Sequence, residues 1–175
     1  MANKEACQWL ETALEMEEKG KRFYDKAVSR CENDECKSVF QTLADDEIVH
    51  MERINTIYDK ISAGEPWCED WEELETHPDK LKDIFQQMAK EHLDKVNSGT
   101  GDLEALDTGI DFESESIKFY RKHLDEAKDE IEKEFLQQMV EEERRHYGAL
   151  EDMKLYLTDP SSWFKEKEKT LLDGA

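Results

Sequence analysis

Glycine and proline are scarce in this chain of 175 residues, at 7 and 3. Turn-rich, strand-rich folds need more of both, so long helices are favoured. No apolar run approaches membrane-spanning length, which excludes a bilayer-spanning helix. The opening Met1-Ala-Asn-Lys-Glu5 has no apolar core, so no secretory leader is expected. Basic residues are the minority, 24 Lys and Arg against 45 Asp and Glu, for a formal net charge of −21. A surface of that sign repels nucleic acid and anionic membrane, and neither is expected as a partner. A cytoplasmic protein is the natural expectation, with its four cysteines mostly reduced.

What is present is helical periodicity. Four long segments carry apolar stripes at helical spacing. The first, about 5–30, shows Leu10, Ala13, Leu14, Tyr24, Ala27 and Val28. The second, about 34–62, shows Phe40, Leu43, Ala44, Met51, Ile54, Ile57, Tyr58 and Ile61. The third, about 102–127, shows Leu103, Leu106, Ile110, Ile117, Tyr120 and Leu124. The fourth, about 129–157, shows Phe135, Met139, Leu150, Met153 and Leu157. Short connections make the first two an antiparallel hairpin, and likewise the last two. Asn33 or Asp34 is the expected cap of the second helix. Between the hairpins, Gly64 and Pro66 break the chain, Pro78 opens a further helix over about 78–96 with Leu93 near its end, and Asn97-Ser-Gly-Thr-Gly101 breaks it again. Residues 1–157 therefore read as one all-α four-helix bundle: two antiparallel hairpins joined by a long crossover at about 63–101. The tail, 158–175, carries Trp163, Phe164, Leu171 and Leu172 and is expected to dock as a short helix. The crossover length also permits a hairpin to be exchanged with a second copy, and a homodimer is expected.

The chain repeats itself 96 residues apart. Glu17 is followed by Phe23-Tyr24 and, 30 residues on, by Glu47-x-x-His50. Glu113 is followed by Phe119-Tyr120 and, again 30 residues on, by Glu143-x-x-His146. In so acidic a chain a Glu three residues before a His is cheap. Equal offsets, a Phe-Tyr pair in each half and placement of all six groups on apolar stripes are not.

Those stripes turn four carboxylates towards one interior. Burying one unpaired carboxylate costs several kcal/mol, and four together add mutual repulsion. Two divalent cations remove the problem. Glu-x-x-His puts both side chains on one helical face. Two such helices plus a Glu from each remaining helix make a six-residue site for two metals. Glu17 and Glu113 are expected as terminal ligands, Glu47 and Glu143 as bridging ones, and His50 and His146 as one imidazole per metal. Carboxylate with imidazole and no thiolate suits iron or manganese, with zinc as a substitute. Tyr24 and Tyr120 are expected to hydrogen-bond and orient ligand carboxylates.

The segments Ala13-Leu-Glu-Met-Glu17-Glu-Lys-Gly-Lys-Arg-Phe-Tyr24 and Leu43-Ala-Asp-Asp-Glu47-Ile-Val-His50 resemble the first half of the rubrerythrin-like branch of the ferritin-like superfamily. Ile110-Asp-Phe-Glu113-Ser-Glu-Ser-Ile-Lys-Phe-Tyr120 and Glu142-Glu143-Arg-Arg-His146 resemble its second half. The resemblance spans about residues 5–157. It implies a ferritin-like bundle and a non-haem di-iron centre that reacts with hydrogen peroxide or dioxygen, an oxidoreductase of oxidative stress. Two departures stand out. Typical rubrerythrins carry a rubredoxin-like iron site built from Cys-x-x-Cys pairs. This chain has no such pair, so electrons must come from an external electron-transfer protein. Typical members also have an extra Glu one turn after the third-helix ligand, where this chain has Ser116; Glu115 points to another face. The ligand set is closer to a four-Glu, two-His ferroxidase centre, which makes iron handling the second expected function. A metal-stabilised scaffold without turnover is the third.

Other residues carry milder expectations. Cys31 and Cys36 flank a turn at near-disulfide distance and read as ordinary thiols at helix ends. Cys7 and Cys68 are isolated. Trp67 and Trp71 are expected to pack the crossover onto the bundle. His77, His92 and His123 lack partners at helical spacing and read as surface residues. The acidic runs 69–75 and 141–143 read as solvated faces, Glu143 excepted. Gly20 and Gly148 are costly inside helices and are expected to permit close approach near the metals.

Overall fold

The computed structural model describes residues 2–90 and 99–173. These form six α-helices and a short 3-10 turn, with no strand among the described residues. Helix α1 is Ala2–Arg30, α2 Asp34–Ser62, α3 Pro78–Lys90, α4 Thr100–Glu126, α5 Glu130–Thr158 and α6 Pro160–Asp173. His92, Leu93, Asn97 and Ser98 lie outside the described residues, as do the side chains of Leu171 and Leu172.

Helix α1 packs along α2 and α4 along α5, and the two hairpins meet through α1 against α4 and α2 against α5. The hairpin turns are held by side-chain caps. Asn33 accepts the Cys36 N–H at 2.8 Å, and Asp129 accepts from Ile131 and Glu132. Each cap satisfies helix-end donors that would otherwise be orphaned. Asp102, buried at the start of α4, accepts the Glu32 and Asn33 N–H groups at 2.9 and 3.1 Å. It ties the end of the crossover to the first turn. Gly64 follows the end of α2 at φ 85°, a left-handed conformation that glycine adopts without a Cβ clash.

The apolar core is split in two. One cluster contains Tyr24, Ala27, Phe40, Leu43, Leu106, Ile110, Leu150 and Met153. The other contains Leu10, Ala13, Ile54, Ile57, Tyr120, Phe135 and Met139. All four long helices contribute to both clusters, and on each helix the residue between the two sets is Glu17, Glu47, Glu113 or Glu143. The stripes thus run from one core through a charged waist to the other.

The crossover packs onto the bundle. Trp71 is buried against Phe135, Trp67 stacks on Trp9, and α3 buries Leu81 and Met88. Helix α6 buries Trp163 among Tyr156, Phe164 and Phe85. No helix of the described residues is long and apolar enough to cross a membrane.

The two mid-helix glycines differ. A Cβ on Gly20 would lie 2.7 Å from Phe112 of α4, so Gly20 does permit close approach of α1 and α4 beside Glu47. A Cβ on Gly148 would meet nothing within 4 Å, so no packing requirement explains that glycine.

Candidate metal centre

The six repeat-related residues converge at the waist. Glu17, Glu47, His50 and Glu143 bring one ligand atom each to within 4.8 Å of one another, and Glu47, Glu113, Glu143 and His146 do the same. Glu47 and Glu143 belong to both groups. All six residues are buried.

The imidazoles are oriented from behind. His50 Nε2 lies 3.0 Å from Glu142 Oε2, and His146 Nε2 lies 3.1 Å from Asp46 Oδ2. A carboxylate there only accepts, so each Nε2 carries the proton. Nδ1 is left facing the waist. In His50 it is 3.3 Å from both Glu17 and Glu143 and 3.6 Å from Glu47. In His146 it is 3.6 Å from both Glu113 and Glu143. The rings stack with centroids 5.4 Å apart.

Asp46 and Glu142 were hidden in the sequence. Each directly precedes a motif Glu, and each reaches across to the histidine of the opposite hairpin. Glu142 is buried rather than solvated. Arg53 donates to it at 2.6 Å, Gln138 at 2.6 Å and Thr76 at 3.1 Å. Burial alone would raise its pKa, but the His50 contact and the Arg53 charge hold it down to about 2. His77 is likewise not a free surface residue. It is half-buried, and its Nδ1 and backbone N–H meet Asp46 Oδ1 at 2.6 and 2.8 Å. Against the cost of burial, His146 and His77 lower the Asp46 pKa. His123 stacks on Trp9 far along the bundle and belongs to no ligand group.

The tyrosines also cross over. Tyr24 donates to Glu113 and Tyr120 donates to Glu17, each to the carboxylate of the other half. Burial first, then the facing carboxylates, holds both phenols well above their ordinary range. Both hydroxyls therefore keep their protons and act as donors.

Several ligand-group atoms make no hydrogen bond of good geometry, only close approaches to one another: both oxygens of Glu47, both of Glu143, Glu113 Oε2 and His146 Nδ1. Buried polar atoms are almost always paired. Here the unpaired set consists of lone-pair donors aimed at two common points, which is what two cations require. Protons do the balancing otherwise. Desolvation and then the charge of Glu17 push Glu47 well up. Desolvation and then Glu143 push Glu113 up to about 8. Burial would lower both histidines, but the charge of Glu143 on His50 and of Glu113 on His146, with their hydrogen-bonded carboxylates, raises them well above normal. Glu143, opposed by His50, Glu113 and His146, is held well below the usual range despite burial.

The family model for rubrerythrin matches residues 8–154. The chain belongs to the rubrerythrin family. The match covers both hairpins, the crossover and every residue of the waist, in a family of ferritin-like di-iron carboxylate proteins. No curated protein and no solved structure matches the chain. In this rubrerythrin-family bundle the buried carboxylate and imidazole groups are able to hold metal.

The carboxylates behind the histidines lead to a direct expectation. Asp46→Ala removes the acceptor that fixes the His146 proton on Nε2 and should weaken metal binding by about 10–100-fold. Competition against a fluorescent chelator measures it. Unchanged affinity would mean that the imidazole is held by packing alone.

Proposed function

We propose that this protein is a di-iron oxidoreductase that reduces hydrogen peroxide or dioxygen with electrons from a separate donor protein. The observation that carries the reading is the waist itself: two overlapping four-residue groups with unpaired lone pairs converging between two apolar clusters. Glu17 with His50 would hold one iron and Glu113 with His146 the other, with Glu47 and Glu143 shared. Iron supplies the redox electrons when bound.

The chain's own residues set the conditions. Asp46 and Glu142 keep each imidazole in the Nε2–H tautomer, so that Nδ1 presents its lone pair. Tyr24 and Tyr120 each engage one oxygen of a terminal carboxylate and limit its rotation. The two apolar clusters exclude water from either end. A small oxidant fits such a site better than a bulky organic substrate.

A second reading, ferroxidase chemistry on Fe(II) as substrate, is favoured by Ser116. That buried serine stands one turn after Glu113, while Glu115 faces solvent and pairs with Lys118. Glu113 is the residue of α4 that belongs to a ligand group.

Stopped-flow absorbance separates the two. Protein loaded anaerobically with two Fe(II) per chain is mixed with hydrogen peroxide or with air-saturated buffer. A near-ultraviolet ferric band that grows much faster with peroxide is expected for the oxidoreductase. Faster growth with air, and repeated turnover of excess Fe(II), would establish the ferroxidase instead. No band with either oxidant would overturn both.

A further inference from the structure

We propose that Cys31 and Cys36 form a thiol–disulfide exchange site for small disulfides, with Cys31 as the attacking thiol and Cys36 as the resolving one. Cys31 follows the last residue of α1 and Cys36 lies in the first turn of α2. Their sulfurs are 3.6 Å apart, in direct contact. A disulfide needs about 2 Å, so closure asks the two sulfurs to approach further. The backbone between them is pinned: Asn33 accepts the Cys36 N–H, and Asp102 accepts those of Glu32 and Asn33. The pair is therefore held in register rather than meeting by chance.

Access is one-sided. A surface pocket of about 280 Å³ is lined by Cys31 with Phe23, Lys26, Arg30, Gly101 and Glu104. Cys36 does not line it and is fully buried. Lys26 and Arg30 bring positive charge to the mouth, against one carboxylate, Glu104, and so favour the approach of an anionic disulfide such as glutathione disulfide. In the reduced pair the Cys36 thiol is held protonated, first by its contact with the Cys31 thiol, then by burial and by Asp102 and Glu35. The leading cause disappears once Cys31 is in a mixed disulfide, which lets Cys36 resolve it. Cys31 is itself 8% exposed, and of the two it is the one that reaches the pocket and an outside molecule.

The exchange balances in two steps. Cys31 Sγ bonds to one sulfur of the incoming disulfide, whose S–S bond breaks and releases one thiol. Cys36 Sγ then bonds to Cys31 Sγ, breaks the mixed disulfide and releases the second thiol. Two protein thiols lose two electrons and two protons, and the external disulfide gains them. The site does not depend on the metal reading, since no step involves the waist.

The test uses the full chain carrying Cys7→Ser and Cys68→Ser, with chelator present, incubated with glutathione disulfide. Intact mass should fall by about two units, the loss of two hydrogens, and dithiothreitol should restore it. Adding Cys36→Ser should stop the reaction at the glutathione adduct on Cys31. Adding Cys31→Ser should leave Cys36 unmodified, with helix content checked by circular dichroism. An unchanged mass in the parent, an adduct that never closes, or an adduct on Cys36 in the folded Cys31→Ser chain would each overturn the proposal.

Discussion

Glu47→Leu is expected to abolish binding at both metal positions and to stabilise the metal-free protein by about 1–4 kcal/mol. The first effect follows from sharing. Glu47 supplies a ligand atom to both groups, so no complete set survives its loss. Glu17→Ala is the contrast, because Glu17 belongs to one group only. That variant should keep one metal per chain where the parent binds two. The second effect follows from desolvation. Neither Glu47 oxygen has a hydrogen bond, and burial with the Glu17 charge already makes its ionisation unfavourable. Leucine has a similar volume and removes both unsatisfied atoms. It would lie on a stripe between Leu43 and Ile54, where apolar packing is native. For a chain of this length each kcal/mol moves the melting temperature by roughly 2–4 °C. Metal analysis after anaerobic loading and thermal melts in chelator measure the two effects separately. Retention of two metals by the variant, or a melting temperature below that of the parent, would contradict the assignment of Glu47 as a shared ligand held at a stability cost.

The same trade explains which parts of the site were legible in the sequence. Glu17, Glu47, His50, Glu113, Glu143 and His146 interrupt apolar stripes, and a charged residue on a buried face is conspicuous. Their equal offsets placed them at one height in the bundle. The helix ends were legible for a similar local reason: Asn33 and Gly64 are residues whose chemistry acts within one turn. Asp46 and Glu142 were not legible. An acidic residue beside a motif Glu is indistinguishable from a solvated face in a chain that is 39% charged. What buries them is the opposite hairpin, through contacts about 100 residues away in the chain. The repeated position immediately before each motif Glu was the available signal. His77 was missed because its partner, Asp46, lies 31 residues away across the crossover. The tyrosines illustrate the limit of stripe arguments. Seven residues along a helix is about 10 Å, too far to reach the carboxylate on the same helix. Tyr24 instead meets Glu113, and Tyr120 meets Glu17, because neighbouring helices bring their waists within reach. Gly20 and Gly148 look alike in sequence, yet only Gly20 faces a ring on another helix.

Metal-free protein should lose stability as pH rises from about 5 to 9, and metal-loaded protein should not. The sign comes from proton uptake. Glu113 binds its proton up to about 8 in the fold, whereas an unfolded glutamate releases it near 4.5. Across that window the folded state holds the extra proton, so raising the pH favours unfolding. Glu47 acts in the same direction. His50 and His146, both raised, contribute stability that is complete below about 6.5 and is lost as pH climbs through their folded values. Glu142, Asp46 and Glu143 are lowered and act oppositely: their contribution is present above about 4 and is lost only as pH falls through their folded values. The metal-free optimum therefore lies on the acidic side of neutrality, with an alkaline loss on the order of several kcal/mol. Metal takes the place of the protons on Glu47, Glu113, His50 and His146. Loading at neutral pH should release protons, and affinity should fall as pH is lowered. Urea midpoints at pH 5.5, 7 and 8.5, with chelator or with Mn(II), give the slopes directly. A metal-free midpoint that rises with pH would mean that the waist carboxylates are ionised and paired without metal. In that case the unpaired lone pairs would no longer argue for two cations.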